Sequence, residues 1–548
     1  MFIKVSKSKG IEYVNIVEGY RDKATKKVKH RNVASLGRLD SLRPSLEALG
    51  AKLLSLAGVS SNEFNPDAFG EGTPLNYGYL VYKKLWANLK LDNLFVNIKS
   101  AHKRLQYSLN DEAFLLTMQR LIEPMSKLAT FHQQGHYYCL PEVKLENIYR
   151  CLSILSSNKE LIEQHIFSHI DHGDAVDILF YDVTTFAFQS VKQDEIREFG
   201  FSKDQKFNEV QVVMGLFISN SGLPVGYELF PGNTFDARTL IDALKLIENR
   251  LAIRRVVIVA DRGINSKLNL KYIKDAGYEY IVASKIKGMK KAVKDQIFTN
   301  DGYTDLKIDA ENIKAKVIDY ENWIQDEKGK KEALKEQLVL TWSEKRAAKD
   351  AMDRKRLINK AEKLLANPST INQQLKQGGR KYLKADSSGK SSYYLDAEMI
   401  KQHEVYDGYY GIQCSDRDLP AEQIINAYHK LWVIEDAFRT MKSSLEARPV
   451  FHWNPERIKG HFVSCYLAFT LERLLEAELK KSDVIASPDR IRNALKEATV
   501  VSVDIGGEQF YLKTKTSDLA KIIFAISDIS IKKNLLTKKQ LLASLKLK

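Results

Sequence analysis

The sequence has no apolar run approaching the roughly 18 residues that a membrane-spanning helix needs. Its start, Met1-Phe-Ile-Lys-Val-Ser-Lys-Ser-Lys, has no apolar centre of the signal-peptide kind. Cysteine is scarce: Cys139, Cys151, Cys414 and Cys465 are the only four, and no two have C-x-x-C spacing. That argues against a disulfide framework and a cysteine-based zinc site, and for a reducing, cytoplasmic setting with no membrane partner. No internal repeat is visible. Acid is in deficit, with 69 acidic against 84 basic side chains and a net charge of +15. The surplus favours a polyanionic partner, most often nucleic acid, through counterion release. Ribosome-associated and membrane-surface proteins share such a balance, so charge alone does not choose the partner. What is present in quantity, 44% hydrophobic and 28% charged residues over 548 positions, is enough for several globular domains with a buried core.

Residues 1 to about 40 alternate like strands: Phe2 to Val5, Tyr13 to Val17 and Val28 to Val33. Arg21, Lys23, Lys26, Lys27, Lys29 and Arg31 make this a cationic ribbon, either a DNA-tracking edge or a hairpin kept soluble by lysine. Asn65-Pro66 and Gly70 to Pro74 read as a linker. Residues 76–170 read as helical. His132/His136 and His165/His169 have the i, i+4 spacing of metal-binding helices. The residues following the first histidine of each pair, Gln133 and Ile166, are not the Glu of a zinc-protease motif, so packed or surface histidines are expected.

At residue 176 the period changes. Val176 to Phe188, Val210 to Ser219 and Val225 to Phe230 read as three strands, with Asp182 inside the first. A helix over Asp236–Arg250 follows. Arg255-Val-Val-Ile-Val-Ala is a short buried-strand pattern ending in Asp261. Another helix then leads to a strand at Tyr278–Ser284. An antiparallel meander followed by α, β, α, β is the ribonuclease-H-like order, in which the first and fourth strands are neighbours. Asp182 and Asp261 would then lie side by side. Residues 286–412, rich in lysine and tyrosine and containing a charged helical stretch from Trp342 to Ala366, read as an inserted subdomain. Val500 to Lys513 reads as a hairpin around Gly506-Gly507.

The stretch Tyr428 to Lys442 reads as one amphipathic helix. Ala427, Leu431, Ile434, Phe438 and Met441 recur at helical spacing and form its apolar face. Tyr428, Glu435 and Lys442, seven apart, would form one stripe flanked by Trp432 and Arg439. Two aspartates on neighbouring central strands and a glutamate on a helix across them make a site for a hard divalent cation such as Mg²⁺ or Mn²⁺. Each carboxylate also has a plain structural reading: Asp182 paired with a lysine, Asp261 in a turn with Gly263, and Glu435 bridged to Arg439.

Together these residues resemble the DDE transposases of bacterial insertion sequences, in the subgroup with a Y-(2)-R-(3)-E-(6)-K signature. The likeness rests on Tyr-Asp182-Val-Thr-Thr, Ala-Asp261-Arg-Gly, and Tyr428, Glu435 and Lys442 at the required spacing. Gly200-Phe-Ser-Lys-Asp, Pro231-Gly-Asn-Thr-Phe-Asp, Arg448-Pro-Val-Phe-His-Trp and Gly460-His461 extend it. The resemblance implies cleavage at the ends of a mobile element and transfer of the freed strand into double-stranded target DNA, by a dimer bridging two ends. It implies two divalent ions on Asp182, Asp261 and Glu435, with Tyr428 and Lys442 on DNA phosphates and Arg262 and Lys203 as further backbone contacts. Where the signature has Arg this chain has Leu431, on the apolar face, so Arg439 is the expected substitute cation. A nuclease without strand transfer, or a non-catalytic DNA-binding descendant, are the alternatives.

The expected organisation is an α/β chain with a ribonuclease-H-like mixed sheet. A basic β-rich region, a candidate for DNA binding, spans 1–70, and a helical region, a candidate for binding DNA ends, spans 71–170. The core occupies 171–285 and is completed by 413–475 around the insertion at 286–412. A helical and hairpin tail covers 476–548.

Overall fold

A computed structural model describes residues 2–8, 10–21, 28–42, 73–170, 178–200, 208–234, 239–245, 257–261, 263, 265–308, 311–325, 330–366, 378–385, 393–505 and 508–546. The chain forms two compact units. One comprises residues 1–81, 133–142 and 490–548, and the other residues 82–132 and 143–489.

The first unit opens with an antiparallel sheet of β1 (Phe2–Ser8), β2 (Ile11–Arg21) and β3 (Val28–Arg38). Val14 and Val17 of β2 are buried, and Arg31 pairs with Glu18 across the β2–β3 ladder at 2.7 Å. The cationic turn expected between these strands and most of the Gly70–Pro74 linker lie outside the described residues. A short strand, β4 (Pro74–Asn76), follows.

The helical region expected next is present as α1 (Leu80–Asn88), α2 (Leu91–Ala101), α3 (Leu109–Ile122), α4 (Lys127–Gln133), α5 (Leu145–Ser157) and α6 (Lys159–His169). Ser108 caps α3 by accepting from the Asp111 N–H. In the second unit the sheet strands are β5 (Ile178–Ala187), β6 (Gln211–Ser219), β7 (Pro224–Pro231), β8 (Val257–Ala260) and β9 (Glu279–Ala283). Between β8 and β9 runs α7 (Lys267–Asp275). β5, β6 and β7 form the expected antiparallel meander, and β8 pairs in parallel with both β5 and β9. β6 is buried at every position, as its unbroken apolar run foretells.

The segment read as an insertion continues the same sheet. After α8 (Lys291–Phe298) come β10 (Thr304–Ile308), β11 (Glu311–Gln325) and β12 (Lys331–Trp342). Then follow the 22-residue α9 (Glu344–Leu365), a small ribbon of β13 (Leu383–Ala385) and β14 (Tyr393–Leu395), and α10 (Ala397–Glu404). β15 (Tyr409–Cys414) returns antiparallel between β12 and β9. The nine-stranded order is β10-β11-β12-β15-β9-β8-β5-β6-β7. This is a large mixed sheet flanked by helices, an α/β architecture as the sequence suggests.

Three helices complete this unit: α11 (Ala421–His429), α12 (Trp432–Arg439) and α13 (Pro455–Lys481). Asn454 caps α13, and Pro455 at its first position lacks only an N–H that would go unused there. α13 is buried almost continuously from Gly460 to Glu472, as suits a helix apolar on every side. A Cβ on Gly460 would lie 1.8 Å from the Leu152 carbonyl oxygen, so glycine is what lets α13 and α5 touch backbone to backbone.

The chain then returns to the first unit with α14 (Pro488–Lys496), the hairpin β16 (Thr499–Ile505) and β17 (Glu508–Lys513), α15 (Asp518–Ile526), β18 (Leu535–Thr537) and α16 (Lys538–Ser544). The hairpin stands where alternation puts it, and β4 joins it in the order β18-β17-β16-β4.

Candidate active site

β5 separates two environments by the alternation of its side chains. Leu179, Tyr181 and Val183 enter an apolar cluster with Ile258 and Ala260 of β8, Leu270 and Ile273 of α7, and Leu240, Ala243 and Leu244 of a helical stretch at 239–245. Residues 180, 182, 184 and 186 point to the other side. There Phe186 meets Phe462 of α13 edge-on, with ring centroids 5.1 Å apart. Asp182, the one acidic residue of β5, is half-buried on this side.

Tyr181 is in register with Ala260 on the parallel neighbour β8. The next residue of each chain is an aspartate, Asp182 inside its strand and Asp261 one step past the end of β8, where it is exposed. Adjacent strands lie about 4.8 Å apart, so the two carboxylates leave the backbone from neighbouring positions.

α12 packs on β5 and β6. Its buried residues are Ile434, Ala437 and Phe438, while Glu435 is exposed. Lys430 Nζ donates to Asn220 Oδ1 in the β6–β7 turn at 3.1 Å and fixes the start of the helix. The continuous helix expected from Tyr428 to Lys442 is not what forms. α11 ends at His429, and a tight turn follows in which the Leu431, Val433 and Ile434 N–H groups donate three residues back, to Tyr428, Lys430 and Leu431. After α12 the chain widens into a π turn over Thr440–Ser444 that carries Lys442. Overwinding before Glu435 and underwinding after it break the seven-residue line of Tyr428, Glu435 and Lys442. The apolar face survives: Ala427, Ile434, Phe438 and Met441 are buried and Leu431 half-buried. Packing of that face sets the local winding, which periodicity alone does not register.

Among the described residues no group of three or more His, Cys, Asp and Glu side chains is gathered closely enough to hold a metal ion. Asp182, Asp261 and Glu435 therefore do not form a closed ligand cluster here. Their oxygen-only chemistry suits Mg²⁺ or Mn²⁺. The two histidine pairs offer less: His165 and His169 stack at 4.1 Å, and their ring nitrogens contact the Leu89 and His165 carbonyls, both at 2.8 Å.

The expected phosphate contacts fare differently from one another. Lys442 Nζ sits 5.5 Å from the Phe186 ring centroid, on the Asp182 side of β5. The Tyr428 hydroxyl is hydrogen-bonded to that of Tyr410 on β15, and the Arg346 guanidinium of α9 lies 4.1 Å over the Tyr410 ring. Arg439 is exposed but pairs with Asp436, not with Glu435. Asp436 also accepts from Arg473 at 2.6 Å; burial opposes its ionisation, yet the two guanidiniums hold its carboxyl below the usual range. Lys203 and Arg262 lie outside the described residues.

Sequence reasoning missed two polar assemblies that hold this neighbourhood. Glu336 on β12 accepts from Tyr280 on β9, from Asn322 on β11 at 3.0 Å and from Gln413 on β15 at 2.6 Å, and burial pushes its carboxyl up. Arg197 is almost fully buried; its Nε donates to Asp194 at 2.7 Å and its Nη2 to the Trp453 carbonyl at 3.2 Å. The Asp-x-x-Arg spacing signals the second pair weakly. Nothing local signals the first, because its four residues come from four strands.

A family profile described as "Transposase DDE domain" matches residues 176–471, and one described as "IS1634 family transposase, N-terminal domain" matches residues 3–58. No curated protein matches the chain. Among solved structures, a piggyBac transposase synaptic complex with hairpin DNA aligns over 78% of this chain and 82% of its own, at 10% identity and a TM-score of 0.36. A Drosophila P element transposase strand transfer complex aligns over 81% and 91%, at 12% identity and a TM-score of 0.19. At such TM-scores neither superposition bears on the fold.

Proposed function

The chain belongs to the transposase DDE-domain family, and we propose that it is the transposase of a bacterial insertion sequence, binding the ends of its element and catalysing metal-dependent cleavage and strand transfer. The observation that supports this reading is the parallel pairing of β5 with β8, in which Asp182 and Asp261 each follow the paired residues Tyr181 and Ala260, together with the packing of α12, which carries Glu435, on β5 and β6. The order β7-β6-β5-β8-β9 supports a ribonuclease-H-like core. Tyr428, Glu435 and Lys442 support the Y-(2)-R-(3)-E-(6)-K subgroup despite Leu431. The profile match at residues 3–58 supports a DNA-handling role for the N-terminal sheet.

Asp182, Asp261 and Glu435 would hold two divalent ions, which supply activation of the attacking oxygen and stabilisation of the leaving one. The chain's own task is to draw the three carboxylates together around the scissile phosphate. Lys442 neutralises a phosphate oxygen on the Asp182 side of the sheet, and the Tyr428 hydroxyl orients another. Arg439 is held by an exposed ion pair worth at most about 1 kcal/mol, so a DNA phosphate can take the place of Asp436. Water is the first nucleophile and frees a 3′-OH, which then attacks target DNA; the two steps differ only in the nucleophile. A dimer bridging two ends, working in the cytoplasm on nucleoid DNA, completes the reading.

Incubating the protein with Mg²⁺, pre-cut element ends and a target plasmid tests it. Joined products are expected, and Asp182→Asn should abolish them. Cleavage without joining would point to a nuclease, and binding without either to a non-catalytic DNA-binding protein.

A further inference from the structure

Two motifs, Arg448-Pro-Val-Phe-His-Trp and Gly460-His461, have no part in the chemistry above. The structure brings their histidines, His452 and His461, together with Arg120 of α3, Lys127 of α4 and Tyr149 of α5 around a cavity of about 90 Å³. That is room for about three waters at about 30 Å³ each, or for one tetrahedral oxyanion. Among the described residues no carboxylate lines it.

Arg120, Lys127 and His461 are 6%, 5% and 2% exposed. Arg120 Nη1 and Nη2 donate to the Glu446 and Met125 carbonyls at 3.0 and 2.6 Å, but its Nε has no partner among the described residues. Lys127 Nζ lies 3.3 Å from His461 Nδ1, whose other nitrogen faces the Ala447 carbonyl at 3.0 Å. If Nε2 donates to that carbonyl, Nδ1 accepts one of the lysine N–H bonds and the rest go unanswered among the described residues. Buried charges are ordinarily paired, and a guanidinium cannot shed its proton to escape. Burial first, and Arg120 second, push the Lys127 amine well below its ordinary range. Burial pushes His452 down to about 3. An anion would supply acceptors for Arg120 Nε and for the remaining Lys127 N–H bonds. The exposed ring of Phe451 belongs to the lining, and the Arg457 guanidinium lies over Tyr149 at 5.2 Å.

We propose that this cavity is an oxyanion site that takes a phosphate group, with Arg120 and Lys127 as its ligands and His452 at its lip. The site stands independently of the transposase reading; only the source of the phosphate, a DNA backbone or free inorganic phosphate, depends on it.

The test compares melting of the full chain in sodium phosphate and in sodium chloride of equal ionic strength, with phosphate affinity read by ³¹P NMR. Phosphate should raise the melting temperature of the wild type. Lys127→Met should melt normally in chloride and lose the phosphate shift, with affinity at least about 10-fold weaker. His452→Gln, a change at the lip, should weaken phosphate by a smaller factor. If the ligand is a DNA phosphate, inorganic phosphate competes with a 30-base-pair duplex beyond its ionic strength, and Lys127→Met lowers the salt slope of duplex binding by about one. If it is free phosphate, duplex binding is the same in both proteins while the melting shift remains. The proposal is overturned if phosphate leaves the wild type unmoved, or if it shifts Lys127→Met equally. Asp182→Asn should keep the phosphate shift in full, so failure of the cleavage reading leaves this result intact.

Discussion

The acids Asp182, Asp261 and Glu435 and the bases Arg120, Lys127, His452 and His461 lie in the same unit and are built on opposite terms. Asp182 stands half-buried within its strand, while Asp261 at a strand end and Glu435 on a helix surface are exposed to solvating water. Arg120, Lys127 and His461 are drawn into the interior by α3, α4 and α13, with His452 at the lip of their cavity. Exposed like charges cost little to hold and nothing fixes their spacing. Buried like charges are fixed in place by packing and suffer desolvation until they are neutralised. A reactive centre can therefore wait at a surface, whereas a buried basic cavity needs its anion for its own comfort as well as for function.

That contrast can be broken in four places. Asp182→Asn should reduce Mg²⁺-dependent cleavage by more than the roughly 100-fold that loss of an outer-shell partner costs, measured on end-containing DNA. Its unfolding free energy should change by less than about 1 kcal/mol; a larger loss would make Asp182 a structural residue. Arg120→Met should behave in the opposite way, costing about 3 kcal/mol in urea unfolding because the Glu446 and Met125 carbonyls lose their donors.

Glu112, also on α3, sharpens the comparison as a buried acid whose Oε2 has no hydrogen-bond partner among the described residues. Burial raises its carboxyl from 4.5 to about 7. The folded state thus binds the proton more tightly than the unfolded chain. The resulting stability is fully present below pH 4.5 and is lost as pH rises through 7. Relative to Glu112→Gln, the wild type should lose on the order of 2–3 kcal/mol between those limits. The smallest effect belongs to Arg439→Ala: under about 1 kcal/mol in stability, but about one unit off the salt slope of DNA binding. An unchanged slope would remove Arg439 from the DNA contacts.

Much of the sheet could be read from the residues. Val257–Ala260 is too short and too apolar for a surface strand, and the meander before it leaves a parallel crossover as the natural way to pair it with β5. Asp182 and Asp261 follow from that pairing. The break at Lys430 could not be read, since each residue there is compatible with helix and the tight turn follows from contacts with the β6–β7 turn. Lys127 and Arg120 were illegible for another reason. A lysine in Ser-Lys-Leu-Ala reads as a surface charge, and what buries it is α13, more than 300 residues later in the chain. The Glu336 assembly is hidden in the same way, by partners that only the folded sheet brings within reach.

β15 and β9 are hydrogen-bonded through Ile412–Ala283, Gln413–Val282 and Cys414–Ile281. The chain thus leaves the five-strand core and re-enters it at adjoining backbone positions. For that core, everything between is a closed loop, and closure entropy grows only with the logarithm of length, about 0.6 kcal/mol per doubling. Loops within residues 284–408 could therefore lengthen at little thermodynamic cost, whereas Ile324, Leu334 and Glu336 in the same segment are tied to the core and could not be replaced so freely. The distance in sequence between Asp261 and Glu435 is for that reason loosely constrained by the fold.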